Sequence, residues 1–90
     1  MRVILTLEEG LASQEGQIKI AEVGAGPWRI GRDPSCDLVL IDPERRISGF
    51  HLELTERGGA LTVTDFSTNG TWVDRPENRL RKGQPAPVQD

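Results

Sequence analysis

An all-β fold, arranged as an antiparallel β-sandwich, is what this sequence predicts, and three observations carry the prediction. Apolar and polar residues alternate at period two in several short runs, clusters of Gly or Pro separate those runs, and no apolar period of 3.6 residues lasts long enough for a helix. About seven short strands result. Ninety residues suit one small domain, whose limited core makes each strand matter.

Residues 1–7 hold Val3, Ile4, Leu5 and Leu7 and read as a first strand, broken over residues 8–16. Residues 17–23 set Ile18 and Ile20 against Gln17 and Lys19, so an apolar face marks a second strand. After the turn cluster Gly24-Ala25-Gly26-Pro27, Trp28-Arg29-Ile30 opens a third strand that stops at Gly31-Arg32-Asp33-Pro34. Asp37-Leu38-Val39-Leu40-Ile41 is apolar almost throughout and is expected to be central. Beyond the charged loop Asp42-Pro43-Glu44-Arg45-Arg46, Phe50, Leu52 and Leu54 alternate with His51, Glu53 and Thr55, which puts His51 on the face opposite the core. Gly58-Gly59 ends that strand, and Leu61 and Val63 alternate with Thr62 and Thr64 in the next. Asn69-Gly70 then reads as a hairpin turn with residues 71–73 as its second arm, because glycine takes positive φ freely and Asn tolerates it. Residues 75–90 form an irregular tail with short edge pairing, since Pro76, Pro85 and Pro87 punctuate it and Leu80 and Val88 are its only large aliphatics.

Composition removes several functional classes. Hydrophobic residues at 36% and charged residues at 28% describe a globular chain, and a formal charge of -3 gives no electrostatic footprint for nucleic acid. The longest apolar run, residues 3–5, is far too short for a bilayer and no signal-type h-region follows Met1, so neither membrane nor export is expected and the placement is cytoplasmic. Cys36 alone excludes an internal disulfide and reads as a small buried apolar residue, in keeping with a reducing compartment. One His and one Cys with scattered carboxylates show no ligand spacing, so no metal or cofactor is expected. Trp28 belongs in the core; Trp72 stands between core and partial exposure.

Three loops carry chemistry: Gly31-Arg32, then residues 46–51, then Ser67-Thr68-Asn69-Gly70-Thr71. Loops of a sandwich cluster at its ends, and an arginine fork with short hydroxyl and backbone donors suits phosphate oxygens. The spaced motifs Gly31-Arg32, Ser48-x-x-His51 and Asn69-Gly70 resemble those of the forkhead-associated (FHA) domain over about residues 2–88. The resemblance implies a FHA/SMAD-like sandwich and a phosphothreonine-peptide site. By that resemblance Arg32 and Ser48 contact the phosphate, Thr68 lends its hydroxyl or backbone, and Asn69 holds the peptide main chain, while Gly31, His51 and Gly70 support the site. The residue after the site serine is commonly Arg, Asn or Lys in the family, whereas here Gly49 offers only its backbone N–H. Arg45 or Arg46 would either compensate or remain solvated loop charges.

Residues 42–49 further resemble the matching loop of FHA proteins of bacterial type VI secretion, which act beside a threonine kinase and phosphatase in assembly of that machine. The resemblance also implies a single FHA-like domain over residues 1–90 that stops before the family's last strand, leaving the first strand with an open edge and favouring dimerisation or strand exchange. The function expected is a non-catalytic phosphothreonine-peptide binding module mediating protein–protein interaction. The alternative is a phospho-independent assembly or dimerisation domain using a sheet edge or face. Ser48 and His51 do not make an enzyme, because no third residue is positioned to orient the histidine.

Overall fold

Eight strands form among the residues that the computed structural model describes, which are 1–7, 12–13, 16–44, 46–72 and 77–88. They are β1 (Arg2–Thr6), β2 (Ala12–Ser13), β3 (Ile18–Glu22), β4 (Trp28–Gly31), β5 (Leu38–Ile41), β6 (Leu52–Arg57), β7 (Ala60–Asp65) and β8 (Ala86–Pro87). One sheet is the pair β1-β3, and the other runs β2-β5-β4-β6-β7-β8. The core lies between them, with Ala21 and Val23 each 1% exposed against Ile30, Leu38, Leu40, Leu54 and Val63. Val3, Leu5, Leu7, Trp28, Leu80 and Val88 pack around its margin.

The sandwich agrees with the sequence, but several local expectations change. The inward face of β3 is the one carrying Ala21, not the one carrying Ile18 and Ile20, which stand 63% and 58% exposed beside Ile4 at 67%. Register explains it: β1 pairs Val3 with Ala21 and Ile4 with Ile20, and the parity holding Val3, Leu5, Leu7, Ala21 and Val23 is the one the larger sheet covers. Second, β4 and β5 pair in parallel, through Ile30↔Leu38 and Gly31↔Val39, within an otherwise antiparallel arrangement. Strand β5 does lie inside the sheet, between β2 and β4.

Third, the tight hairpin is closed at Gly58-Gly59, where φ is +57° and +83°, rather than at Asn69-Gly70. Arg57 and Ala60 pair directly across that two-residue loop, the geometry that demands consecutive positive φ values. Among the described residues β7 has β6 and β8 as partners, and Trp72 bridges Arg79 instead. Val73, the end of the expected second arm, lies outside the described residues. Fourth, Phe50 is 44% exposed, because the alternation that holds from Leu52 onward breaks at His51, which is itself buried. Ala12–Ser13 forms a strand inside the stretch expected to be a break, and Ala86–Pro87 supplies the tail's edge pairing to Thr62 and Val63.

Backbone direction along β1 follows from its pairing. Met1 and Val23 exchange hydrogen bonds at 2.7 Å in both directions, and Leu7 N–H donates to Gln17 O at 2.7 Å. In an antiparallel pair the bonded positions then recur at every second residue, so Arg2, Ile4 and Thr6 turn their amides and carbonyls away from β3. Among the described residues that edge of β1 has no strand beside it.

Candidate functional site

Strand β4 is antiparallel to β6, and β6 to β7, so the end of β4, the entry to β6 and the exit of β7 meet at one end of the larger sheet. The three expected loops therefore converge. Arg32 N–H donates to Ser48 O at 3.1 Å, Asp33 N–H to Gly49 O at 3.0 Å, and Thr68 N–H to Ser48 Oγ at 2.9 Å.

Arg32 is half-buried and its Nε donates to Ile47 O, which pins the base of the guanidinium. The Nη groups have no ion-pair partner among the described residues. Ser48 Oγ accepts the Thr68 amide, so its own hydroxyl proton is left to donate elsewhere. Thr68 thereby commits its backbone to the loop and keeps its exposed hydroxyl. Asn69 is exposed; its Nδ2 donates to Arg46 O at 3.0 Å, leaving one amide proton and Oδ1 for a ligand. Arg46 itself pairs with Glu44 at 2.9 Å in solvent, and Arg45 lies outside the described residues.

The supporting residues act by different means. A Cβ on Gly31 would sit 2.0 Å from Gly49 O and 2.7 Å from Gly49 C, so Gly31 serves close approach of β4 to the loop rather than a turn. Gly70 does need its conformation, at φ +103°. His51 ties two loops together: Ser48 N–H donates to Nδ1 at 3.1 Å, which makes Nε2 the protonated nitrogen and the donor to Gly70 O at 3.2 Å. Both ring nitrogens are thus occupied by backbone. Neither is hydrogen-bonded to Ser48 Oγ, so the arrangement offers no base for a serine nucleophile.

Two carboxylates that hold these loops escaped the sequence reading. Asp65, 3% exposed, accepts Ser67 N–H at 3.0 Å, Ser67 Oγ at 2.5 Å and Thr71 Oγ1 at 2.7 Å, while Ser67 Oγ accepts Gly70 N–H at 2.8 Å. Burial pushes its carboxyl up, but the donors from Ser67 and Thr71 together outweigh it and hold it below the usual range. Asp42, 8% exposed, accepts the amides of Arg46 at 2.6 Å, Ile47 at 2.9 Å and Glu44 at 3.1 Å. There too burial opposes and three N–H groups prevail, lowering the value. The available signal was local: Asp42-Pro43 and Asp65-x-Ser67 are sequences whose aspartate bonds the backbone a few residues on.

The sequence profile of the FHA domain matches residues 28–90. Serine/threonine-protein kinase cds1 of Schizosaccharomyces pombe is 36% identical over 61 residues, covering 59% of this chain and 13% of the kinase. E3 ubiquitin-protein ligase CHFR of Mus musculus is 39% identical over 64 residues, 69% of this chain and 9% of the ligase. Serine/threonine-protein kinase RAD53 of Saccharomyces cerevisiae is 42% identical over 48 residues, 52% of this chain and 6% of the kinase. The chain therefore spans a small part of these relatives. The crystal structure of the N-terminal FHA domain of S. cerevisiae Rad53p in complex with a phosphothreonine peptide superposes with a TM-score of 0.64 at 26% identity, covering 88% of this chain and 73% of that one.

Proposed function

Because the chain belongs to the FHA domain family, we propose that it is a non-catalytic phosphothreonine-peptide binding module with its site at Arg32, Ser48, Gly49, Thr68 and Asn69. The observation that carries this is the Ser48 hydroxyl, locked by the Thr68 amide with its proton left over, while the carbonyl of the preceding Ile47 anchors the Arg32 guanidinium through Nε. Asn69, with donor and acceptor both available, is suited to a peptide backbone of any sequence. The likeness to the Rad53p domain, solved with a phosphothreonine peptide, supports the same ligand class. Titration with a degenerate phosphothreonine peptide library should show saturable binding, and the unphosphorylated library none. Equal binding of the two would overturn the reading.

Gly49 is the weak point of the site and also a place where it can be improved. Its φ is unstrained and a Cβ there would meet only Asp33 Cβ, at 3.9 Å. Gly49→Asn adds a donor without a clash, so affinity for a phosphothreonine peptide should rise about tenfold, the effect of roughly 1.5 kcal/mol from a hydrogen bond to a charged group. Isothermal titration of the two proteins with one peptide checks this.

The likeness of residues 42–49 to the loop of type VI secretion FHA proteins supports a role in assembly of that machine, in the cytoplasm where threonines are phosphorylated from ATP. Among the described residues no helix is long and apolar enough to cross a membrane. A second reading, phospho-independent assembly, rests on the outward face of Ile4, Ile18 and Ile20 and the edge of β1 that has no strand beside it among the described residues. Partner capture or dimerisation that persists in Arg32→Ala and ceases in Ile20→Lys would favour it; a monomer at high concentration that unfolds cooperatively would count against it.

A further inference from the structure

The loops that hold Ser48 and Thr68 run past one another in opposite directions, stitched in register. Asn69 Nδ2 meets Arg46 O at 3.0 Å, Thr68 N–H meets Ser48 Oγ at 2.9 Å, and Phe66 N–H meets His51 O at 2.9 Å. Order along this strip is therefore set. Arg46, Ile47, Asn69 and Gly70 occupy one end, Ser48, Gly49, Ser67 and Thr68 the middle, and Phe50 and Phe66 the other end.

At that last end Phe50 and Phe66, 44% and 40% exposed, line a groove of about 410 Å³ with Arg29 and Glu53. Arg29 stands 5.6 Å from the Phe50 ring centroid and its Nε lies 3.1 Å from Glu53 Oε1. The opposite charges on the rim offset each other, so what the groove offers an occupant is aromatic surface. None of its lining residues belongs to the groove at the Asn69 end, which is formed by Asp42, Arg46, Ile47, His51, Asn69, Gly70 and Trp72.

We infer that the Phe50–Phe66 groove is a selectivity subsite of the phosphopeptide site, taking an aliphatic or aromatic side chain two residues from the phosphothreonine on the side away from Asn69. The inference rests on the phosphothreonine reading and adds to it the class of residue that must flank the phosphate. Phe50 and Phe66 are each two positions from Ser48 and Thr68, so at most roughly 7 Å of chain separates them, a span that two residues of an extended bound peptide can cover. In an extended peptide, side chains two apart share a face, so the phosphothreonine and its second neighbour face the strip together.

The test uses fluorescence anisotropy with phosphothreonine peptides otherwise composed of Gly and Ser, carrying Leu or Gly at the second position on either side. Leu should bind about tenfold more tightly than Gly at one of the two positions and not at the other, as expected for burial of one apolar side chain. In Phe50→Ala and Phe66→Ala that Leu-to-Gly ratio should fall to about one, while Phe50→Leu keeps it. Thermal melts of each variant establish that it is folded. A ratio near one at both positions in the natural chain overturns the inference while leaving the phosphothreonine reading intact, as does a ratio that survives both alanine variants. Self-association abolished by Phe66→Ala would assign the groove to a second copy and also overturn it. Failure of the Gly-flanked phosphopeptide to bind at all removes the underlying reading and the subsite with it.

Discussion

Arg32→Ala should weaken phosphothreonine-peptide binding by at least about two orders of magnitude, the expected effect of losing a charge-assisted contact worth roughly 3 kcal/mol. Arg32 is the cation among the proposed site residues, with its Nε held by Ile47 O. The phosphate of a phosphothreonine carries close to two negative charges at neutral pH, and neutral donors from Ser48 and Thr68 would orient it without offsetting that charge. Arg32→Lys separates charge from geometry: the ammonium keeps the charge but lacks the planar fork that is both anchored and free to bond, so an intermediate loss is expected. Calorimetric titration of the three proteins with one peptide measures the order, and an Arg32→Ala protein that binds as tightly as the natural chain defeats the site assignment. Ionic strength supplies a second readout. The natural chain should lose affinity as salt rises and Arg32→Ala should be less sensitive.

Asp65→Ala should be strongly destabilising. It deprives Ser67 N–H, Ser67 Oγ and Thr71 Oγ1 of their acceptor in a region that is almost fully buried. At roughly 1 kcal/mol for each hydrogen bond the loss is about 3 kcal/mol, which lowers the melting temperature of a domain this size by roughly 15 °C. Asp65→Asn keeps an acceptor oxygen and should cost less. The sign of the pH effect follows from the depressed carboxyl. A carboxylate more acidic in the folded state stabilises it above the unfolded value of about 3.9, and that stabilisation fades as pH falls through the folded value. The gap in melting temperature between the natural chain and Asp65→Asn should therefore be full at neutral pH and narrow below about pH 4. A gap unchanged down to strong acid would refute the charge-based part of this account.

Much of the fold is legible in the residues. Short apolar runs mark β1 and β5, and alternation or a turn-bounded start marks β3, β4, β6 and β7, all close to where they form, while Gly58-Gly59 breaks β6 from β7 where the sequence changes pattern. The three loops with site residues were also visible, because Gly31-Arg32, Ser48-x-x-His51 and Asn69-Gly70 stand at strand ends. Less visible were the short strands β2 and β8, since two residues carry no period. The exposure of Phe50 and Phe66 was hidden for a related reason: each sits where a strand passes into a loop and alternation no longer governs direction.

What the sequence by itself determined is the all-β class, the strand spacing and the chemistry of the loop residues. Tertiary structure alone decided that β3 turns Ala21 and Val23 inward and leaves Ile18 and Ile20 outside, because period two names two faces but only an opposing layer selects which is covered. It also decided that Asn69-Gly70 shapes the loop beside Ser48 instead of closing a hairpin. Glycine specifies the conformation at position 70, whereas the partner of Trp72 is Arg79, chosen by where the returning chain lies. His51, Asp42 and Asp65 acquire their roles the same way: each is a polar side chain in the sequence, and becomes a brace once burial leaves backbone N–H and C=O groups that only it can satisfy.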